Sequence, residues 1–318
     1  MALLTYVAQR LLHAVVVLWA AYTLTMLALF VLPSDPVTTM LLGGANSDMT
    51  VDRVQLETLR HELGFDQPLG RQYLTLLGRA VRGDFGESVQ TGQPVSALLW
   101  NGLVPTAELA TAALLIAVIA GSAVALISTS TRIRPLGGLL QSATAVGVSI
   151  PSFWLGLTLI ELLSFRWRLL PAVGGRGLSG LILPAITLGI PAGSVIAQVF
   201  GRSLRSVLAE PFIVTAEAKG AGRVRIQLRH ALRNAALPPL TLAGMIVGSL
   251  LGGAVVVETV FARNGLGRIA VDAVTNQDLP VVEGLVLLSA AVYVTTSLLV
   301  DLAYPLLDPR IIGTRGMR

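Results

Sequence analysis

Cysteine is absent from the 318 residues, which excludes disulfides, thiolate metal sites and cysteine nucleophiles. Charge is scarce. Asp, Glu, Lys and Arg make up 13% of the chain against 53% hydrophobic residues, and the mean hydropathy is +0.74. That composition excludes an ordinary soluble globular protein. The only histidines are His13, His61 and His230, none placed to meet a serine inside an apolar run. Neither Gly-x-Ser-x-Gly nor His-Glu-x-x-His occurs, so a hydrolase built on those motifs is not encoded here. Gly-x-x-x-x-Gly-Lys-[Ser/Thr] is missing too, and the chain cannot supply its own P-loop nucleotide site. A proton-coupled carrier is expected to keep an acid near mid-membrane, and no apolar run here holds one.

What is present is apolar sequence in long pieces. Six stretches are long enough to cross a bilayer, which takes about 20 residues. They are Leu11–Leu32, Leu109–Thr131, Leu136–Ile160, Leu178–Gly201, Asn234–Val257 and Gly284–Val300, and none contains Asp, Glu, Lys or Arg. Six crossings place both termini on one side. The sixth stretch extends back to Pro280 at the cost of Glu283. The first is too long for a cleavable signal peptide, and Pro33-Ser34-Asp35-Pro36 after it reads as a stop and turn rather than a cleavage site.

A sequence pI near 10.2 invites a nucleic-acid reading, but the basic residues sit at the ends of apolar spans, where membrane topology accounts for them. With the N-terminus inside, Arg10, Arg132, Arg134, Arg310, Arg315, Arg318 and the central loop are cytoplasmic. Arg166, Arg168, Arg176, Arg263 and Arg268 lie in short outer loops. The first group outnumbers the second, although Arg166, Arg168 and Arg176 run against the rule.

Between the first two spans, residues 33–104 form an outer segment expected to cap the outer mouth. Thr50 to Leu63 and Gln72 to Val81 read as helices in it, followed by turn chemistry at Gly83-Asp84-Phe85-Gly86-Glu87-Ser88. Pro151 interrupts the third span, and Pro184 and Pro191 the fourth. Such residues suit either a moving, pathway-lining bundle or ordinary kinks whose freed backbone groups neighbours satisfy. Glu108, Glu161, Glu258 and Asp301 each sit near a span end. A carboxylate within reach of interfacial water is expected to act as an anchor there, and as a functional group only where buried.

The most distinctive stretch runs from Glu210 to Pro238. Around it, Arg202, Arg205, Lys219, Arg223, Arg225, Arg229 and Arg233 stand against only Glu210 and Glu217, a net +5 that equals the formal charge of the whole chain. Lys219 is the only lysine. Pro211 suits a first helical position and Gly220 the left-handed residue past a helix end. The rod between them, roughly 14 Å long at 1.5 Å per residue, is too short to be stable alone in water. Its small residues Thr215, Ala216 and Ala218 admit a close partner. From Arg223 onward, Val224, Leu228, Ala231, Leu232 and Ala235 recur at helical spacing. That pattern predicts an amphipathic helix along the inner lipid surface. A solvated basic loop obeying the orientation rule is the plainer alternative.

Motifs along nearly the whole chain carry a resemblance. In order they are Leu63-Gly64-Phe65-Asp66-Gln67-Pro68-Leu69; Gly83-Asp84-Phe85-Gly86 with Ser88 and Pro94-Val95; and Ile150-Pro151-Ser152-Phe153-Trp154-Leu155-Gly156. Further on come Ala216 to Gly220, Arg229-His230-Ala231-Leu232-Arg233-Asn234 with Leu237-Pro238, Val257-Glu258-Thr259-Val260-Phe261, Gly265-Leu266-Gly267-Arg268, and Asp301, Tyr304 and Leu307-Asp308-Pro309-Arg310. With these the chain resembles the permease subunit of ABC importers for dipeptides, oligopeptides and nickel, of the dipeptide permease B type.

The resemblance implies an all-α membrane protein with six transmembrane helices in the type I importer (MetI-like) fold. Residues 1–32 would be the first membrane helix, 105–308 the permease core with its coupling loop at 202–236, and 309–318 a cytoplasmic tail. It implies a multi-pass protein of the bacterial inner membrane with cytoplasmic termini. The expected partners are a second homologous permease, two cytoplasmic ATPases that bind ATP and Mg, and an extracytoplasmic substrate-binding protein. Peptides are the expected cargo, with nickel or glutathione-like solutes as alternatives and a stand-alone carrier or a non-transporting scaffold as competing classes. The central rod resembles the "EAA" loop that docks into an ATPase groove. By position, Thr215, Ala216, Glu217, Ala218, Lys219 and Gly220 would form or end it and Arg223 would flank it. Val214-Thr215-Ala216 stand where the broad family has Glu-Ala-Ala.

Overall fold

The structure is a computed structural model that describes residues 2–31, 68–173 and 177–307. The predicted helix at Thr50–Leu63, the Leu63–Gln67 part of the first motif, Arg176 and the stretch from Asp308 on lie outside the described residues. Among the described residues the fold is helical, with one isolated bridge between Glu87 and Pro94. In chain order the helices are α1 (Ala2–Val31), α2 (Leu69–Ala80), α3 (Val95–Ser130), α4 (Arg134–Ser149), α5 (Ser152–Leu159), α6 (Ser179–Leu208), α7 (Pro211–Ala218), α8 (Leu237–Val260), α9 (Leu266–Thr275) and α10 (Leu279–Leu307). Five of them are long and apolar enough to cross a membrane. Counting α4 with the α5 segment as one bent span gives six.

The prolines do different jobs. Pro151 forces Ile150 into extended backbone (φ −74, ψ 124), because the ring disfavours a helical residue before it. Helix α4 therefore stops, and the chain turns by 106° into Ser152–Arg166. The latter half of that segment, Ile160–Arg166, is wound as a π-helix. Helix α6 continues without a break through Pro184 and Pro191. Pro184 has no N–H, which frees the carbonyl of Gly180, and the Arg263 guanidinium donates to that carbonyl at 3.2 Å. Thus one proline breaks a span while another is repaired by a neighbouring side chain.

Contacts divide the described residues into two compact units, 2–31 and 68–105 with 264–298, and 106–173 and 177–263 with 299–307. Helices α3 and α10 contribute residues to both.

In the first unit, Val95, Leu99, Leu266, Ala273, Val281 and Leu285 form the core. Gly284 lies under Val95, Leu99 and Phe85, where a Cβ would stand 2.9 Å from Val95 Cγ1. The turn after α2 is fixed by Asp84, whose carboxylate accepts from Arg79 Nε at 2.9 Å and from the Gly86 amide at 3.0 Å. Those bonds, the one from Arg79 foremost, hold the Asp84 carboxyl below its ordinary range. Buried Asp278 clamps the next loop, accepting from Ser88 Oγ at 2.5 Å and from the amides of Val89 and Gln90 at 3.2 and 3.3 Å.

The second unit is built around α6, more than half of whose apolar window is buried. Its glycines meet small residues of α3 at four-residue steps. A Cβ on Gly121 would stand 2.5 Å from the Gly193 carbonyl, one on Gly189 3.0 Å from the Ala113 carbonyl, and one on Gly193 3.1 Å from Ala117 Cα. Ala113, Ala117 and Gly121 thus face Gly189 and Gly193 at backbone contact, the packing that drives helix association where lipid removes the hydrophobic force. Leu109, Leu183, Leu188, Leu250, Val257 and Phe261 complete the apolar core around them.

The carboxylates divide. Glu108 and Glu161 are exposed, and Glu108 lies 3.8 Å from Arg263. Glu258 overturns the expectation of a wet anchor: it is fully buried and accepts from Thr106 Oγ1 at 2.6 Å. The reason is that α3 places a hydroxyl opposite it, so the group is satisfied without water. Asp301 is within α10.

Candidate functional site

The basic loop contains the predicted rod. Helix α7 covers Pro211–Ala218, with Glu210 extended before it and Pro211 at its first position. It ends at Lys219, and Gly220 follows in the left-handed region at φ 78. The Gly220 amide donates to the Glu217 carbonyl at 2.8 Å and the Ala221 amide to the Ala216 carbonyl at 3.1 Å. That pair of bonds is the Schellman stop, which satisfies the last carbonyls and needs a residue tolerant of positive φ. Open space surrounds the place where a Cβ of Gly220 would sit, so the constraint on this glycine is conformational and not steric.

Eight residues give a rod of about 12 Å, and its seat is narrow. Only Ile213 and Ala216 are buried, packed on Ile226 with Leu208 and Ala221 beside them. Every other residue of the rod is exposed, with Phe212 at 40% and Val214 at 64%. Of the predicted site residues, Thr215, Glu217, Ala218, Lys219, Gly220 and Arg223 lie on the open side, while Ala216 is turned inward and seats the rod. Phe212 was not singled out from sequence, and Val214 only as standing where the broad family has the Glu of Glu-Ala-Ala. The available signal was that a rod in so polar a loop carries apolar residues on two faces, one more than its own seat uses.

The segment after the rod differs from the expected amphipathic helix. It comes in three pieces, Arg223–Arg225, a π-helical turn Ile226–Ala231, and Leu232–Ala235. The wide turn shifts the register, so Ile226, Gln227, Ala231 and Ala235 are buried while Val224 and Leu228 stand exposed. Gln227 anchors the piece: its Nε2 donates to the Leu126 carbonyl at 3.0 Å and to Thr129 Oγ1 at 2.6 Å. Both acceptors belong to the end of α3. The loop is therefore fastened to the membrane helices at one end and carries a protruding rod at the other.

The rod is self-capped, seated by Ile213 and Ala216, and leaves Phe212 and Val214 exposed on its open side. Comparison with known proteins identifies the family. Residues 113–313 match the family described as the binding-protein-dependent transport system inner membrane component, and residues 3–109 match its N-terminal companion. The chain belongs to that family. The permease is 37% identical over 309 residues to the glutathione transport system permease protein GsiC of Escherichia coli strain K12, covering 97% of this chain and 99% of the relative. The same protein of Shigella dysenteriae serotype 1 matches equally.

Two solved structures share the fold. An amino acid ABC transporter determined with histidines superposes with a TM-score of 0.50 at 21% identity, covering 68% of the permease and 94% of that chain. The inward-facing MetNI methionine ABC transporter gives 0.51 at 19%, covering 68% and 95%. The protein is thus a MetI-like membrane permease of an ABC importer, a transport subunit whose family implies ATPase and binding-protein partners, and is not itself an enzyme.

Proposed function

We propose that the permease forms half of the translocation pathway of an ATP-driven peptide importer in a bacterial inner membrane. The other half is a second, homologous permease. In this reading two cytoplasmic ATPases bind ATP and Mg, an extracytoplasmic binding protein delivers the cargo, and both termini of the permease are cytoplasmic. Residues 33–104 cover the outer mouth, and the loop at 202–236 meets the ATPases. The observation that carries the proposal is the exposed face of α7, apolar at Phe212 and Val214 and stopped at Gly220. A rod of this kind fits an apolar groove in a partner.

Thr215, Ala218 and Lys219 would line the contact with Glu217, Gly220 and Arg223 around it, and Ala216 would hold the rod to the body. ATP binding closes the ATPases, the rods move as levers, and the packed helices switch between discrete inward- and outward-open arrangements. The glutathione permeases, similar over nearly the whole chain, favour a short peptide such as glutathione as the first cargo to try.

The test uses the assembled transporter in liposomes, with uptake and ATP hydrolysis measured together. Gly220→Val and Lys219→Glu should assemble normally yet lose uptake and substrate-stimulated hydrolysis. Gly220→Asn should retain both, because asparagine tolerates the left-handed region. Full uptake by Gly220→Val would sink the proposal, as would ATP-independent uptake by the isolated chain.

A further inference from the structure

At the end of α6 from which the rod emerges, the second unit holds an open pocket of about 220 Å³. Three helices wall it. Helix α3 brings Ser128, α4 brings Gln141 and Thr144, and α6 brings Gln198, Arg202 and Arg205. Hydrogen bonds already commit most of the neutral groups. Ser128 Oγ donates to the Ala125 carbonyl at 3.1 Å, Thr144 Oγ1 to the Gln141 carbonyl at 2.8 Å, and Gln198 Nε2 to the Thr144 carbonyl at 3.2 Å. The donors left over are the two guanidiniums, the Gln141 amide and the second N–H of Gln198 Nε2. No carboxylate lines the cavity, and neither arginine is in an ion pair among the described residues.

The arginines are placed with some care. Three residues apart, they share one face of α6. Gly201 leaves room for Arg205 to lie back along the helix: a Cβ there would come 3.5 Å from its Nη1. Arg202 is also the first charged residue after an uncharged run that starts at Leu178, so it marks the depth at which α6 leaves hydrocarbon for headgroups. An orientation signal requires only that arginine be present on one side. It does not require two exposed arginines to line one pocket with polar groups of two other helices.

We propose that this cavity is a binding site for a phosphate-type oxyanion, gripped by Arg202 and Arg205 with the Gln141 amide. Paired guanidiniums match phosphate oxygens in geometry and charge, and basic pockets between membrane helices receive anionic headgroups. The volume holds a phosphate with several waters of about 30 Å³ each. The oxyanion arrives either as the headgroup of an anionic phospholipid or as free phosphate. The site lies on α6 before the rod begins and does not depend on which cargo is carried.

The permease, purified with its partners in detergent, is titrated with phosphatidylglycerol or phosphatidylcholine and bound lipid is read by native mass spectrometry. In parallel, modification of arginines by phenylglyoxal is mapped by peptide mass with and without inorganic phosphate. A lipid source predicts retention of phosphatidylglycerol over phosphatidylcholine by about ten- to thirtyfold, lost in Arg202→Gln/Arg205→Gln and kept in the control Arg132→Gln. A soluble source predicts no lipid preference, but protection of Arg202 and Arg205 from phenylglyoxal by millimolar phosphate. Equal retention of the two lipids together with no protection overturns the proposal. The protection arm uses the unaltered chain, so a variant that fails to assemble does not leave the question open.

Discussion

At the scale of single residues, the exchanges that matter are those in which one group supplies what another has lost. Pro184 frees the Gly180 carbonyl and Arg263 takes it at 3.2 Å. Glu258 leaves water on folding and Thr106 meets it at 2.6 Å. Hydrogen bonds between membrane helices are worth about 0.6 kcal/mol on average and up to about 1.7. Thr106→Val should therefore lower the stability of the detergent-solubilised permease by about 1 kcal/mol in a chemical-denaturation series, while Thr106→Ser, which keeps the hydroxyl, stays near the parent. Identical curves for the valine and serine variants would mean that this bond contributes nothing. The position of Glu258 at the end of an apolar run was legible in the sequence. Its burial was not, because that depends on a hydroxyl 152 positions away in the chain.

Elements show the same division. The rod α7 was readable because its ends are written in local chemistry, proline at the first turn and glycine in the left-handed stop. The piece that follows was misread because a π-helical turn moves the side chains off the 3.6-residue repeat on which the pattern rests. The pairing of α3 with α6 is an element-scale property of small residues. A methyl added at Gly121 would stand 2.5 Å from the Gly193 carbonyl, whereas one added at Gly138 meets nothing within 4 Å. Gly121→Ala should cost about 1–3 kcal/mol through overpacking. Gly138→Ala, an exposed helix position, should be neutral or stabilise by up to about 1 kcal/mol. Thermal unfolding of the two variants side by side checks this, and equal transition temperatures would show that the helices do not meet as described.

For the whole molecule, the absence of cysteine is an experimental advantage, since any introduced thiol is the only one in the chain. The proposed orientation places the rod on the cytoplasmic side and the turn after α2 on the other. Thr215→Cys should then react with a membrane-impermeant maleimide in inside-out vesicles only, and Thr91→Cys, in the exposed turn, in right-side-out spheroplasts only. The reverse labelling would invert the topology and remove the rod from the reach of any cytoplasmic ATPase.

Six apolar stretches, the lack of reactive groups and the capped rod of the basic loop were all legible in residue order, because hydropathy and helix stops are sums over near neighbours and need no knowledge of distant chain. Tertiary structure alone decided that the carbonyl freed by Pro184 is repaired, that Glu258 is buried, that Gln227 pins the loop, and that Arg202 and Arg205 line one open pocket with groups of two other helices. Each of these turns on which group a second helix brings opposite the first. Spacing along one strand of sequence carries no record of that partner, and close packing in the folded chain is what supplies it.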